Sequence, residues 1–88
     1  MPNDDQYRCR ICGLQLESKP WGDDDRTPLF EHCPCCGVEF GHQDATLEGA
    51  RRFRANWLAP GGVWDEPSTM PAGWSLELQL AHIPKAFR

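Results

Sequence analysis

No stretch of this chain approaches the roughly 18 consecutive apolar residues that a membrane-crossing helix needs, so no spanning segment is expected. A secretory leader is not read either. Met1-Pro2-Asn3-Asp4-Asp5 has no basic start and no apolar run behind it. Positive charge is scarce: nine Lys and Arg stand against 13 Asp and Glu, for a formal net charge of -4. A nucleic-acid reader shows a basic patch where it meets phosphate, and this balance counts against one. A phosphate-cradling loop is missing too, because Pro60-Gly61-Gly62 lacks the Lys-Ser/Thr pair of a P-loop. Ser18, Ser68 and Ser75 sit in no nucleophile, base and orienter context. No enzyme activity is expected.

Cysteine, by contrast, is plentiful for 88 residues, and its arrangement is specific. Two Cys-x-x-Cys-Gly knuckles, Cys9-Arg10-Ile11-Cys12-Gly13 and Cys33-Pro34-Cys35-Cys36-Gly37, supply four thiolates at the spacing of a tetrahedral metal site. Cys9, Cys12, Cys33 and Cys36 are the expected ligands of one structural Zn²⁺. Iron in the same four-sulfur site is the alternative that spacing leaves open. Four protein ligands close the coordination sphere and leave no place for water or substrate. A chain this short buries a modest core and often needs such a metal. An odd total of five cysteines suits a disulfide framework poorly. A reducing, cytoplasmic location is expected, where cysteine pairs read as metal ligands. A thioredoxin-like redox pair would need a βαβ framework, which the pattern does not contain.

The remaining sulfur and imidazole groups carry weaker signals. Cys35 lies between ligands, and its side chain is expected to point away from the metal as a spare thiol or small apolar filler. A redox-sensing role, in which that thiol starts oxidation and metal release, is the sharper alternative. His32 and His42 flank the second knuckle and could replace one cysteine in a Cys₃His site. With four cysteines present, they are read as local hydrogen-bonding groups, and His82 carries no signal.

Charge is distributed unevenly. Residues 1–44 hold nine of the 13 acids and four of the nine bases. Four thiolates around Zn²⁺ would bring the whole chain to roughly -6. The metal-bearing half is therefore the acidic half.

One domain, 1–88, is expected: a small α+β fold with a zinc ribbon over 7–42, followed by one or two short helices. Tyr7-Arg8-Cys9 and Leu14-Gln15-Leu16-Glu17 read as short strands around the first knuckle. Leu29-Phe30-Glu31-His32 and Val38-Glu39-Phe40 read the same way around the second. Gly13 and Gly37 supply the positive φ of each turn. Between the knuckles, Ser18 to Pro28 reads as a loop, with Asp23-Asp24-Asp25 a solvated turn rather than a cation site. Asp44 or Thr46 can cap a helix over 44–58, with Leu47, Ala50, Phe53 and Trp57 on one side. Pro60-Gly61-Gly62 ends it. An irregular arm is expected over 59–73, pinned by Trp64 and Trp74. Residues 74–84 fit a strand or a helix, and Ser75 as a cap favours a short helix.

The segment Cys33-Pro34-Cys35-Cys36-Gly37-Val38-Glu39-Phe40-Gly41 resembles the small bacterial cysteine-rich proteins of the CPCC type. Pro20-Trp21-Gly22, Asn56-Trp57-Leu58 and the Trp74…Gln79-Leu80…Ile83-Pro84 ending extend the resemblance over about residues 7–84. It implies a zinc ribbon with a helical extension, carried by Cys9, Cys12, Cys33 and Cys36. It implies little about activity, although some similar small proteins are regarded as partners or immunity factors of bacterial toxins. The expected function is a non-catalytic, zinc-stabilised protein-interaction module with a protein partner, whose acidic surface suits a basic one. Trp57 with Arg54, or Trp21 beside the aspartates, are candidate anchors for that partner. The alternative is a nucleic-acid-binding ribbon using Arg51, Arg52 and Arg54, with Arg8 and Arg10.

Overall fold

Glycine makes the two knuckles alike. Gly13 and Gly37 have φ of 83° and 80°, a region that L side chains enter only at a cost. Each turn then closes through the same bonds. The Gly13 N–H donates to the Cys9 carbonyl (3.0 Å), and the Cys9 N–H to the Leu14 carbonyl (3.0 Å). In the second knuckle Gly37 donates to Cys33 (2.9 Å), and Cys33 to Val38 (2.9 Å). One register further out, Leu16 donates to Tyr7, and Phe40 to Glu31. The chain thus repeats one backbone unit, with Cys33 standing where Cys9 stands. This computed structural model describes residues 4–88; Met1, Pro2 and Asn3, at the start of the segment where no leader is read, lie outside the described residues.

The expected strands shorten to one antiparallel bridge per knuckle, Arg8 with Gln15 and His32 with Glu39. The cause is local. Tyr7 ends a 3-10 turn, Asp4–Tyr7, which stops the first extended run. Phe30 takes φ 58° and stops the second. A non-glycine residue in that left-handed region costs about 1–2 kcal/mol.

Helix α1 runs Leu47–Leu58. Thr46 caps it, its Oγ1 accepting from the Gly49 N–H at 3.0 Å, which satisfies one of the first-turn donors. Asp44, the other expected cap, is instead fully buried. Its carboxylate accepts from the Gly41 N–H (2.8 Å) and from Trp21 Nε1 (2.9 Å). It ties the loop between the knuckles to the end of the second one. Ala50 and Trp57 are the buried face of α1. Gly61 and Gly62 end it, donating to the Leu58 and Trp57 carbonyls.

The arm that follows lies on the second knuckle. Asp65 and Glu66 donate their N–H groups to the Cys35 and Pro34 carbonyls at 2.9 and 2.8 Å. Trp64 and Trp74 meet edge to face, with centroids 5.4 Å apart, a favoured aromatic geometry. Helix α2 is Leu76–Leu80, capped by Ser75. Leu76 and Leu80 pack on the core and Ile83 is buried, while Leu78 is 72% exposed. Helical spacing explains that split, whereas an alternating strand would have put Leu78 with Leu76 and Leu80.

The Cα radius of gyration is 12.0 Å, and a compact chain of this length is expected near about 12 Å. Compactness without a sheet needs a different centre. Five of the eleven residues in the buried cluster are cysteines. The sulfur cluster is the middle of the core.

Candidate metal centre

Cys9, Cys12, Cys33 and Cys36 bring their Sγ atoms within 4.8 Å of one another, and all four are buried. The first pair comes from one knuckle and the second from its repeat. Cys9 Sγ lies 3.7 Å from Cys36 Sγ, and Cys12 Sγ lies 3.7 Å from Cys33 Sγ. A tetrahedron with metal–sulfur arms of about 2.3 Å has edges of about 3.8 Å, so these separations fit a shared ion. They are far too long for a sulfur–sulfur bond of about 2.05 Å, and all five cysteines are free thiols. The four buried cysteines can hold a metal ion.

Electrostatics point the same way. Hydrogen bonding to Cys33 drives the Cys12 thiol well above its ordinary pKa, and burial drives Cys36 up. Hydrogen bonding with Cys12 drives Cys33 down. Four thiolates cannot share this pocket without a cation, because each added charge is desolvated beside the last. A divalent ion removes the conflict by replacing the protons.

Three side chains brace the cluster: Gln79 joins the two knuckles, while Arg54 and Arg10 tie the first knuckle to the C-terminal segment and to the loop between the knuckles. Gln79 of α2 is buried. Its Nε2 donates to the Cys12 carbonyl (3.2 Å) and to Cys35 Sγ (3.3 Å), while its Oε1 accepts from Trp74 Nε1 (2.7 Å). One amide therefore touches both knuckles. The approach depends on Gly13, where a Cβ would meet the Gln79 carbonyl at 2.4 Å. Arg54 of α1 spreads its guanidinium over three carbonyls, those of Ile11 (2.6 Å), Arg10 (2.9 Å) and Phe87. Burial lowers its pKa, and the nearby Cys9 sulfur opposes that by favouring the charged form. Arg10 is the third. Its guanidinium lies 4.0 Å from the Trp21 ring centroid and 4.1 Å from that of Phe87, a doubly stacked cation. It also donates to the Asp44 carbonyl and pairs with Asp25.

Cys35 stands apart from the four sulfurs that could hold a metal, as expected of a spare thiol, and it fills space in the core. It is 0% exposed and accepts from Gln79, so solvent does not reach it. His32 is an exposed partner of Glu39 at 3.9 Å, His42 is exposed, and neither joins the sulfur cluster. Asp24 accepts from the Arg26 and Thr27 N–H groups and the Thr27 hydroxyl. Its carboxylate is spent on its own turn, as an Asx turn requires. That bonding, first from Arg26, lowers its pKa.

The tryptophans face inward. Trp57 and Trp64 are buried, Trp57 Nε1 donates to the Val63 carbonyl, and Trp21 is occupied by Arg10 and Asp44. Trp57 and Arg54, named together as one candidate anchor, therefore bond elsewhere in the fold, and half-buried Trp21 is covered on one ring face by Arg10. Gln79 and Arg54 are the residues that sequence reading undervalued. Gln79 did carry a signal, since it lies on the apolar stripe Leu76, Leu80, Ile83 where a polar side chain needs a buried partner.

No family model matches the chain, and no solved structure matches it. The chain is 32% identical over 80 residues to the uncharacterized protein YoaQ of Bacillus subtilis (strain 168), which covers 74% of this chain and 68% of the relative. At that identity and coverage, the chain belongs to the family of YoaQ.

Proposed function

We propose that this protein is a non-catalytic, zinc-stabilised interaction module of the bacterial CPCC type, built as a zinc ribbon with a helical extension. The observation that carries the reading is the closed set of four buried sulfurs. Zinc favours four thiolates in a tetrahedron, and a site with four protein ligands stabilises a fold rather than activating water. In this reading the metal takes the place of the sheet that the short bridges do not form. Its partner is a protein, reached through an acidic surface, in the manner of an adaptor or an immunity factor. The reducing interior of the cytoplasm suits five free thiols. Among the described residues, no helix is long and apolar enough to cross a membrane.

The cations that a nucleic-acid reader would need are largely engaged. Arg54 and Arg10 are held in the core as described, Arg8 donates to the Gly13 carbonyl, Arg51 to the Arg88 carbonyl, and Arg52 pairs with Glu48. Capture with zinc-loaded protein as bait tests the reading. A saturable protein partner supports it. Saturable, salt-sensitive binding to nucleic acid, with no protein partner, would replace it.

A further inference from the structure

Phe30 is 60% exposed and sits in a left-handed backbone conformation with φ 58°. Its ring is not loose. A Cβ at Gly41 would come within 2.8 Å of ring atom Cε1 and 2.7 Å of Pro28 Cβ. The bare Cα of Gly41 is therefore the seat on which Pro28 and one edge of the ring rest. The backbone on both sides is tied down, Leu29 donating to the Pro20 carbonyl and Phe40 to the Glu31 carbonyl. Leu29 adds a second apolar side chain, 42% exposed. Folding gains little from a bulky side chain held half in water, and backbone strain kept at a surface belongs with function. A large apolar group fixed before contact is a preorganised anchor.

The surroundings select the occupant. Glu31, next to Phe30 in the chain, is exposed, and Glu39 lies across the bridge from His32, its carboxylate 3.9 Å from the imidazole. Asp23, Asp24 and Asp25 precede the patch but are engaged, Asp23 with Lys19, Asp25 with Arg10 and Asp24 in its own turn, so Glu31 and Glu39 are the acids that a partner meets at the patch itself. Between positions 20 and 40, Arg26 is the sole Lys or Arg. We propose that the Leu29–Phe30 surface is the docking site for a basic protein segment that carries an apolar residue, the apolar group covering the Phe30 ring and the cations meeting the acids. This rests on the interaction-module reading and names the surface that module uses.

The test titrates ¹⁵N-labelled, metal-loaded protein with two synthetic peptides, one of alternating Lys and Leu blocks and its counterpart with Glu for Lys. The Lys peptide should shift amides at 28–32 and 39–41 at low salt, and the Glu peptide should not. Phe30→Asn is the decisive variant, because asparagine takes the left-handed region readily. It should keep the metal, melt at the same or a higher temperature, and bind the Lys peptide at least tenfold more weakly. Glu31→Lys should weaken binding at low salt, with the difference fading as salt rises. Unchanged binding by Phe30→Asn, equal binding of both peptides, shifts centred elsewhere, or no binding of the Lys peptide would each overturn the assignment. So would a loss of folding in Phe30→Asn, which would make Phe30 a core residue. A defined partner bound through another face would remove this surface and leave the interaction module standing. Capture that finds no saturable protein partner would remove the module itself.

Discussion

Gln79 and Cys35 lie 44 positions apart in the chain, yet Nε2 of one is 3.3 Å from Sγ of the other. The same amide holds the Cys12 carbonyl and is itself held by Trp74. This contact sews α2 over the sulfur cluster and makes the C-terminal segment part of the metal centre.

Gln79→Met preserves volume and removes every one of these bonds. The Cys12 carbonyl and the Trp74 indole N–H are then left buried without a partner. A buried group stranded in this way costs about 1–3 kcal/mol. Thermal unfolding of the metal-loaded variant should fall accordingly, by roughly 4–8 °C per kcal/mol for a domain of this size. Gln79→Glu should recover the Trp74 contact only, and should remain less stable than the parent.

Arg54 spans carbonyls from the first knuckle and from the C-terminal turn Lys85–Phe87. A lysine carries the charge but not the planar fork. Arg54→Lys is therefore expected to cost about 1.5–3 kcal/mol, the range for hydrogen bonds to charged groups. Chelator-driven metal loss should accelerate in step. Nucleic-acid binding is not the readout here, because this side chain faces inward.

Cys35 should be chemically silent in the native protein. It is fully buried, so alkylation by iodoacetamide should wait for unfolding rather than proceed at the rate of an exposed thiol. Cys35→Ser should leave metal content unchanged and leave the rate of peroxide-driven metal release unchanged. A faster native alkylation of Cys35 than of the other four would show that α2 opens.

Acid should release the metal. Ion uptake replaces thiol protons, so bound metal is favoured as pH rises and lost as pH falls. The sign is sharpened at Cys12 and Cys36, whose pKa values lie above the ordinary thiol range in the metal-free fold. Both are protonated at neutral pH before the ion arrives and must give up their protons to it. Calorimetry in buffers of different ionisation heat should show more than one proton released per metal at neutral pH, and apparent affinity should drop at least tenfold per pH unit below it.

The knuckles were legible because their chemistry is written locally. Four cysteines and two glycines fix the sulfur positions and the turns within a few residues of each other. Thr46 and Ser75 as caps were legible for the same reason, since a cap acts three residues away. The strands were over-read. Alternation around Leu14 and Val38 marks burial, but the 3-10 turn at Tyr7 and the left-handed Phe30 limit pairing to one bridge each. Arg54 and Asp44 were opaque and Gln79 signalled only its burial, because their partners lie 23 to 67 positions away. Tryptophan left two readings open. All four looked like surface anchors or core filler by composition alone, while the exposed aromatic turned out to be Phe30.

The central claim is that one metal, held by Cys9, Cys12, Cys33 and Cys36, closes the core. Native mass spectrometry of the reduced protein, with thiol alkylation before and after chelation, tests it most directly. The account predicts one zinc per folded chain, five unreactive thiols, and five reactive ones once the metal is removed and the fold opens. A folded chain that carries no metal and keeps its thiols buried would contradict it.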